Sequence, residues 1–166
     1  MSRQLVTLAL MSPHEVYIMK DKFYYKDGTT SSEYDTSKAL HRTDGPAVEW
    51  GNGDRFWLVD GKRHRVDGPA VERANGTKHW YVDGKRHRID APAAEYADGG
   101  KRWYVDGKRH RLDGPAEEWA SGGRYWWADG EGYSEGEFNK FIQEVKELPK
   151  VLRLIDPREW VRNYER

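Results

Sequence analysis

Residues 64–86, HRVDGPAVERANGTKHWYVDGKR, are one copy of a motif that occurs four times in this chain. The copies begin at His41, His64, His87 and His110, so the period is 23 residues. Ten positions are identical in all four copies, including a His-Arg pair, a Pro-Ala pair, a Glu, a Trp and an Asp-Gly pair. A fixed period of this length is the signature of a repeat protein. Residues that recur in every copy are therefore interpreted as scaffold or as a repeated binding surface, not as single catalytic groups.

The composition fits a single globular domain and excludes several classes of protein. The chain has 166 residues with 28 basic and 28 acidic side chains, so no net charge draws it to nucleic acid or an anionic membrane. Eight Trp and ten Tyr can supply the apolar area of a core. Cys is absent, which excludes disulfides, thiolate nucleophiles and Cys-based zinc sites. No stretch approaches the roughly 20 apolar residues of a membrane span, and we expect no signal peptide.

Two turn signals divide each copy into short strands. Asn75-Gly76 and Asp83-Gly84 are two-residue hairpin signals, and residues 78–82 between them are rich in β-formers. The His-Arg-x-Asp-Gly-Pro-Ala-x-Glu segment is predicted to be a strand that bends at Asp-Gly-Pro, because Pro cannot donate to a regular ladder. The pattern predicts a mainly β fold, in which an open, twisted, antiparallel sheet contains four hairpin repeats over residues 41–133.

The N-terminal part is predicted to cap this sheet as a strand and loop region over residues 1–40. Residues 15–25 are aromatic and suit a strand, and residues 25–28 resemble the end of a degenerate repeat. The polar residues 29–38 are interpreted as a loop.

The C-terminal part, residues 134–166, is predicted to be a helical cap within the same domain. Ser134 and Glu137 form a capping box, and apolar residues then follow at helical spacing until Pro149. A second short helix is predicted from Asp156-Pro157 to Tyr164. An open sheet exposes unpaired edge groups, and a helix that covers one edge satisfies this need. The apolar residues of the first helix are Phe138, Phe141, Ile142, Val145 and Leu148.

Alternation along the strands predicts which side chains share a face of the sheet. The recurrent Trp residues fall on the face that is predicted to be the interior. These residues are Trp57, Trp80, Trp103 and Trp126, with Val59, Val82, Val105 and Ala128 in phase. The opposite face is predicted to meet solvent or a partner, and it carries Leu58, Tyr81, Tyr104 and Trp127.

The repeated polar residues argue against catalysis. Equivalent residues of successive copies are expected to lie about 10 Å apart, and histidines at that distance cannot share one zinc ion. Asp67 and Glu72 could act as a catalytic acid-base pair. However, an equivalent pair recurs in every copy, whereas a catalytic pair is usually needed only once. No nucleophile elbow, phosphate-binding loop or dinucleotide fingerprint occurs. We therefore predict a protein that is not an enzyme, has no cofactor or metal site, and uses these polar residues as paired scaffold charges.

The frame resembles the MORN (membrane occupation and recognition nexus) repeat. Tyr81, Gly84 and His87 stand at the spacing at which that family carries an aromatic residue, a Gly and a His. The resemblance covers residues 41–133 and is closest to bacterial and phage variants, although the residue after each His is Arg here and usually Gly in the family. The resemblance implies an open sheet of hairpins. By analogy with phage proteins, it also implies a small inhibitor or adaptor that occupies a host protein, such as a defence factor, in the host cytoplasm.

The function that the pattern favours is non-catalytic binding of a protein. Repeat sheets present extended surfaces whose variable positions set specificity. Here these positions are rich in aromatic residues and cations, which is the composition of interface hot spots. The partner's identity and the oligomeric state are left open, and a cytoplasmic location is predicted. The predicted partner-binding residues are Trp50, Phe56, Arg73, His79, Tyr96, Arg102, Trp119 and Tyr125.

The alternative is a module that binds nucleic acid, a nucleotide or another phosphate. Basic pairs follow the second turn of the first three copies and are predicted to line one edge of the sheet beside aromatic residues. These residues are Lys62, Arg63, Lys85, Arg86, Lys108 and Arg109. A structural or assembly component of a phage is a third class. Steep salt dependence of nucleic-acid retention would favour the alternative.

Overall fold

The computed structural model describes residues 20–147, which form a mainly β structure with one helix at its C-terminal end. The predicted fold class is confirmed, because eleven strands of this part of the chain join in one open antiparallel sheet. The helix α1 spans Glu135–Glu147. The strands are β1 Lys22–Tyr24, β2 Thr30–Ser31, β3 Val48–Glu49, β4 Arg55–Phe56, β5 Leu58–Val59, β6 Lys62–Arg63, β7 Val71–Glu72, β8 Lys78–His79, β9 Tyr81–Val82, β10 Lys85–Arg86, β11 Ala94–Glu95, β12 Lys101–Arg102, β13 Tyr104–Val105, β14 Lys108–Arg109, β15 Glu117–Glu118, β16 Arg124–Ala128 and β17 Glu131–Tyr133.

Two series of hairpins run through the repeats. The main sheet has the order β17-β16-β15-β12-β11-β8-β7-β4-β3-β1-β2, and the hairpins β5–β6, β9–β10 and β13–β14 lie beside it. A single Trp separates each of these three hairpins from the preceding strand of the main sheet. Backbone hydrogen bonds join successive hairpins of the second series. For example, the Gly84 amide donates to the Arg63 carbonyl (2.8 Å), and the Arg65 amide donates to the Tyr81 carbonyl (3.0 Å).

The two turns of each repeat differ in geometry. Asp83 and Gly84 have φ values of 49° and 82°, so the second turn is a two-residue type I′ turn, as predicted. In the first turn only Gly76 has a positive φ, 91°, and backbone hydrogen bonds close a three-residue loop with a bulge. The two-residue prediction for Asn75-Gly76 was therefore wrong. The Asn75 side chain accepts a hydrogen bond from the Thr77 amide (3.0 Å), which favours the longer loop.

The His-Arg-x-Asp-Gly-Pro-Ala-x-Glu segment is organised around its Arg. The guanidinium of Arg65 lies 4.1 Å from the centroid of the Trp57 ring, and its Nε donates to Asp67 (2.8 Å). Its Nη1 donates to the Pro69 carbonyl and to Glu72 (3.4 Å each). The chain bends around this guanidinium, which supports a scaffold role for the recurrent polar residues. The equivalent arginines Arg42, Arg88 and Arg111 cover the rings of Tyr24, Trp80 and Trp103.

Gly is the residue that best fits this position of the Asp-Gly-Pro motif, because the guanidinium approaches the backbone closely. A Cβ at Gly68 would lie 2.9 Å from the Arg65 Cζ. The third copy has Ala91 at this position, and its arginine, Arg88, still donates to the Pro carbonyl and the Glu (3.2 Å each). Within residues 20–147, however, Arg88 makes no hydrogen bond to Asp90, in contrast to the other three copies. One methyl group thus displaces the guanidinium far enough to remove one bond.

A row of charges of alternating sign crosses the main sheet. Glu72 lies between Arg55 and Lys78 in the register, and Glu95 lies between Lys78 and Lys101. Opposite charges that face each other across strands stabilise a sheet, whereas like charges destabilise it. Glu72 and Glu95 therefore each have a basic residue on the strand on either side.

The prediction about which face forms the interior was wrong. Tyr81 and Tyr104, placed on the solvent side, are 8% and 7% exposed, whereas on the Trp side Trp103 is buried but Trp57 and Trp80 are only half-buried. The reason is that one open layer has no separate interior. Each face is covered by the side chains of neighbouring repeats, and arginines provide much of this cover on both faces. We call the two sides the Trp face, which carries these Trp residues, and the variable face, which carries the two Tyr residues.

The N-terminal cap is a degenerate repeat with an insertion. The His41 amide donates to the carbonyl of Tyr24 (3.0 Å), as the His64 amide donates to that of Trp57 (3.1 Å). Tyr24 therefore takes the Trp position of the repeat. The predicted loop 29–38 contains strand β2, which pairs with β1. Residues 1–19, with the first part of the predicted aromatic strand, lie outside the described residues.

The predicted capping box and first helix are confirmed. The Ser134 amide and hydroxyl donate to Glu137 (2.9 and 2.6 Å), and the Glu137 amide donates back to the Ser134 hydroxyl (3.3 Å). Phe138 is 3% exposed, and the Phe141 ring stacks on that of Tyr133 in β17 (centroids 5.4 Å apart). The helix therefore packs against the final strands. No helix within residues 20–147 has the length and apolarity that crossing a membrane requires. Leu148, Pro149 and the predicted second helix lie outside the described residues.

Candidate functional site: the variable face

The eight predicted partner-binding residues lie together on the variable face. The register places Phe56, Val71 and His79 side by side on neighbouring strands. Contacts join this row to the other variable column, because the Arg73 guanidinium lies 4.8 Å from the Phe56 ring and the His79 ring lies 5.4 Å from that of Tyr96. The row continues from Phe23 to Tyr125 across nine strands, a span of about 40 Å at about 4.8 Å per strand.

Large aromatic side chains are exposed at both ends of this face. Trp50 is 40% exposed near one end, and Trp119 and Tyr125 are 50% and 48% exposed near the other. Trp119 and Tyr125 contact each other, with ring centroids 6.0 Å apart. Of the more central residues Arg73 is exposed, and the others are half-buried, namely Phe56, His79, Tyr96 and Arg102.

An apolar cleft of about 560 Å³ lies at the N-terminal end of the variable face. Phe23, Trp50, Phe56 and Leu58 line it, and Arg63 closes one side. The Phe23 and Trp50 rings meet edge to face, with centroids 5.4 Å apart. The cleft can therefore accept an apolar side chain while presenting a cation at its margin.

A hydrogen-bonded pair, Asp54 and Arg73, also lines this cleft. The Asp54 carboxylate is largely buried and accepts hydrogen bonds from the Ala74 amide (2.8 Å) and the Arg73 guanidinium (2.7 Å). These hydrogen bonds lower its pKa, although burial acts in the opposite direction. Arg73, a predicted partner-binding residue, is thus held by the scaffold and compensated in charge.

A buried carboxylate at the C-terminal end was missed in the sequence. Glu117 is 4% exposed and accepts hydrogen bonds from the Arg102 Nε (2.7 Å) and the Trp119 indole (2.8 Å). The Arg109 guanidinium lies 3.3 Å from its second oxygen. The available signal was the motif itself, because the position of Glu117 is Val or Ala in the other three copies. Glu117 binds two arginines together with an aromatic donor.

The predicted basic stripe is divided between the two faces. Arg63 pairs with Leu58, and Lys62 with Val59, so neighbouring residues of each basic pair point to opposite faces. The arginines turn to the variable face, where Arg63 and Arg86 contact the Tyr81 ring and Arg109 covers Trp127 (4.9 Å). The lysines Lys62, Lys85 and Lys108 are exposed.

His79 is held neutral at the centre of the variable face. Burial, and to a smaller extent the positive charges of the nearby arginines, together lower its pKa from 6.5 to about 4. These arginines are Arg86, Arg73, Arg63 and Arg102. The His79 Nδ1 is buried and, within the described residues, has no hydrogen-bond partner.

Protonation of His79 is expected to make the free energy of unfolding depend on pH. The folded state resists protonation of His79 down to about pH 4, while the unfolded chain takes up a proton near pH 6.5. Titration of His79 therefore leaves the free energy of unfolding unchanged above pH 6.5. The free energy of unfolding then decreases as the pH falls from 6.5 towards 4, because the unfolded chain binds a proton that the folded state does not. NMR titration of the imidazole should give a midpoint near pH 4, and His79→Gln should reduce the slope of unfolding free energy against pH in this window. A midpoint near 6.5 would contradict the buried, arginine-surrounded environment.

Comparison with known proteins does not identify a family for this chain. No family model, curated protein or solved structure matches this chain. The resemblance to MORN-like repeats rests on the motif and stays a prediction. Within the described part of the chain, no three His, Cys, Asp or Glu side chains come together as a metal site would require.

Proposed function

We propose that this protein is a non-catalytic protein-binding module that contacts its partner through the variable face. The observation that supports this most directly is the exposure of Trp50, Trp119 and Tyr125 on that face. The sequence differences between repeats are concentrated on the same side, whereas the Trp face repeats one arginine-centred arrangement four times.

The chemistry of the variable face suits a protein partner. Trp, Tyr and Arg are the residues that most often dominate binding energy in protein interfaces. A stable interface buries about 800 Å² on each partner, and a row of about 40 Å flanked by a second variable column can provide such an area. A phage-type inhibitor or adaptor that occupies a host protein is one form of this proposal, supported by the motif resemblance alone. Nucleic-acid binding is less well supported, because the basic pairs are divided between two faces.

The test compares substitutions on the two faces. A partner is first isolated with the full chain and its affinity is measured by calorimetry. Replacing Trp50, Trp119 and Tyr125 together with Ser should weaken binding at least tenfold, because these are the large exposed rings of the proposed interface. A matched control replaces the exposed Lys62, Lys85 and Lys108 with Glu. This control should mainly slow association, since peripheral charges act on the on-rate.

The result that would contradict the proposal is the reverse pattern. Affinity that survives the aromatic substitutions but collapses in the lysine variant, together with DNA or RNA retention that falls steeply with salt, would favour the nucleic-acid alternative. Circular dichroism and thermal unfolding of both variants show whether the fold is retained.

A further inference from the structure

Two arginines of the variable face lack the carboxylate that their counterparts have. Nine arginines of the described chain pack on aromatic rings, and seven of them lie within 4.0 Å of an Asp or Glu oxygen. The remaining two, Arg63 and Arg86, have no such partner within residues 20–147. They flank one ring, with guanidinium carbons 5.3 and 5.8 Å from the centroid of Tyr81. Two uncompensated positive charges therefore lie on either side of a buried tyrosine.

Two buried nitrogen atoms without a hydrogen-bond partner lie in the same place. The Arg86 Nε and the His79 Nδ1 are both buried and have no hydrogen-bond partner among the described residues. The His79 ring lies 6.5 Å from that of Tyr81. Buried polar groups are normally paired, and one that is not points to a missing partner. A ligand atom that accepts hydrogen bonds would satisfy the Arg86 Nε, and also the His79 Nδ1 in the tautomer that carries its proton there. An anion would in addition balance the arginines.

The fourth repeat shows which anion this arrangement accepts. Arg63, Arg86 and Arg109 occupy equivalent positions, and the residue eight positions later is Val71, Ala94 and Glu117 in turn. Only in the last copy does this residue carry a carboxylate, and there it binds Arg109 together with Arg102 and the Trp119 indole. The repeat therefore contains, once, an occupied example of a site that stands open in the two preceding copies.

We propose that Arg63, Arg86 and His79 form a carboxylate-binding subsite for an acidic side chain of the protein partner. This inference rests on the proposed function and specifies its chemistry. Arg63 also closes one side of the apolar cleft that Trp50 and Phe56 line. The recognised segment should thus combine an Asp or Glu with a neighbouring aliphatic or aromatic residue. The acid would lie against Arg86 and His79, as Glu117 lies against Arg109 and Arg102 in the last copy, with Arg63 on the other side of Tyr81 and the apolar side chain in the cleft. A planar guanidinium binds a carboxylate through two parallel hydrogen bonds, which gives this subsite geometric selectivity.

The experiment uses a display library of random short peptides selected on the immobilised full chain. Enriched peptides should contain an Asp or Glu beside an apolar residue. Replacing that acid with its amide should weaken binding to the wild-type chain at least tenfold. Ala94→Glu introduces the carboxylate that Glu117 provides in the last copy, and it should weaken binding of the acidic peptide to the same extent. The amide peptide should bind the wild-type chain and this variant equally.

Arg86→Gln and the combined substitution of Trp50, Trp119 and Tyr125 separate the outcomes. If Ala94→Glu does not fold, Arg86→Gln replaces it, and this variant should also weaken binding of the acidic peptide but not of the amide peptide. Peptides that depend on Trp50, Trp119 and Tyr125 but bind equally with acid or amide would overturn the subsite and leave the proposed function standing. Selected peptides that are sensitive to none of these substitutions would overturn both. Tighter binding of a phosphopeptide or an RNA oligonucleotide, lost in Ala94→Glu, would overturn the assignment of a carboxylate.

Discussion

Tyr104→Ala is expected to lower the free energy of unfolding by about 3–5 kcal/mol, the range for a buried aromatic residue truncated to Ala. Tyr104 is 7% exposed and packs against Ala93 and Ala94. The Arg86 guanidinium covers its ring at 5.3 Å. Truncation removes the ring that joins one repeat to the next and leaves a cavity that the short strands cannot close without moving.

The matched control is Tyr125→Ala on the same face. Tyr125 is 48% exposed, so its loss should change the free energy of unfolding by no more than about 0.5 kcal/mol. Urea denaturation followed by tryptophan fluorescence, with linear extrapolation to water, measures both values. Equal effects of the two substitutions would mean that Tyr104 is not in a packed interior and that the Trp face alone forms the core.

Arg111→Ala is expected to lower the free energy of unfolding by about 2–3 kcal/mol. Hydrogen bonds to charged groups contribute about 1.5–3 kcal/mol, and Arg111 donates to Asp113 (2.9 Å), to the Pro115 carbonyl (3.1 Å) and to Glu118 (3.0 Å). It also lies 4.0 Å from the centroid of the buried Trp103 ring. Removal therefore exposes an aromatic surface and takes one donor away from the Pro115 carbonyl and from each of the two carboxylates.

Arg88→Ala provides a control within the same protein. Arg88 has the same ring contact, 4.0 Å from Trp80, but it lacks the Asp bond because Ala91 replaces the Gly of the motif. Its substitution should therefore cost less than that of Arg111 by about 1 kcal/mol, because the Asp113 side chain is 70% exposed and an exposed ion pair contributes about 1 kcal/mol at most. A cost for Arg88→Ala that equals or exceeds that for Arg111→Ala would show that the ring contact, and not the hydrogen bonds, dominates.

Arginine side chains cover both faces of this single-layer sheet. A sheet of two-residue strands in a single layer cannot bury side chains between two layers, so each face needs its own cover. Long arginine side chains provide this cover, since their stems and guanidinium planes pack on aromatic rings while their charges are paired at the margin. On the Trp face each of the four repeated arginines is paired with a Glu. On the variable face such pairing is complete only near Asp54 and Glu117, and this difference separates the structural face from the one proposed to bind.

The sequence alone determined the features that local chemistry encodes. The period of 23 residues fixed the repeat. The Asp-Gly pairs fixed the type I′ turns, because both residues must adopt a positive φ. Ser134 and Glu137 fixed the start of the helix through their own reciprocal hydrogen bonds. All of these depend on residues close together in the chain, so they can be predicted without knowledge of neighbouring repeats.

Only the tertiary structure decided which residues are buried and which charges are compensated. Tyr81 and Tyr104 are buried because arginines of adjacent hairpins cover them, and alternation along a strand does not reveal that cover. The division of the basic pairs between two faces, and the pairing of Glu117 with Arg109, depend on the strand register and on how successive hairpins pack. The sequence indicated which positions vary, but the packing of one repeat on the next determined that Arg63 and Arg86 lie without a carboxylate on either side of Tyr81.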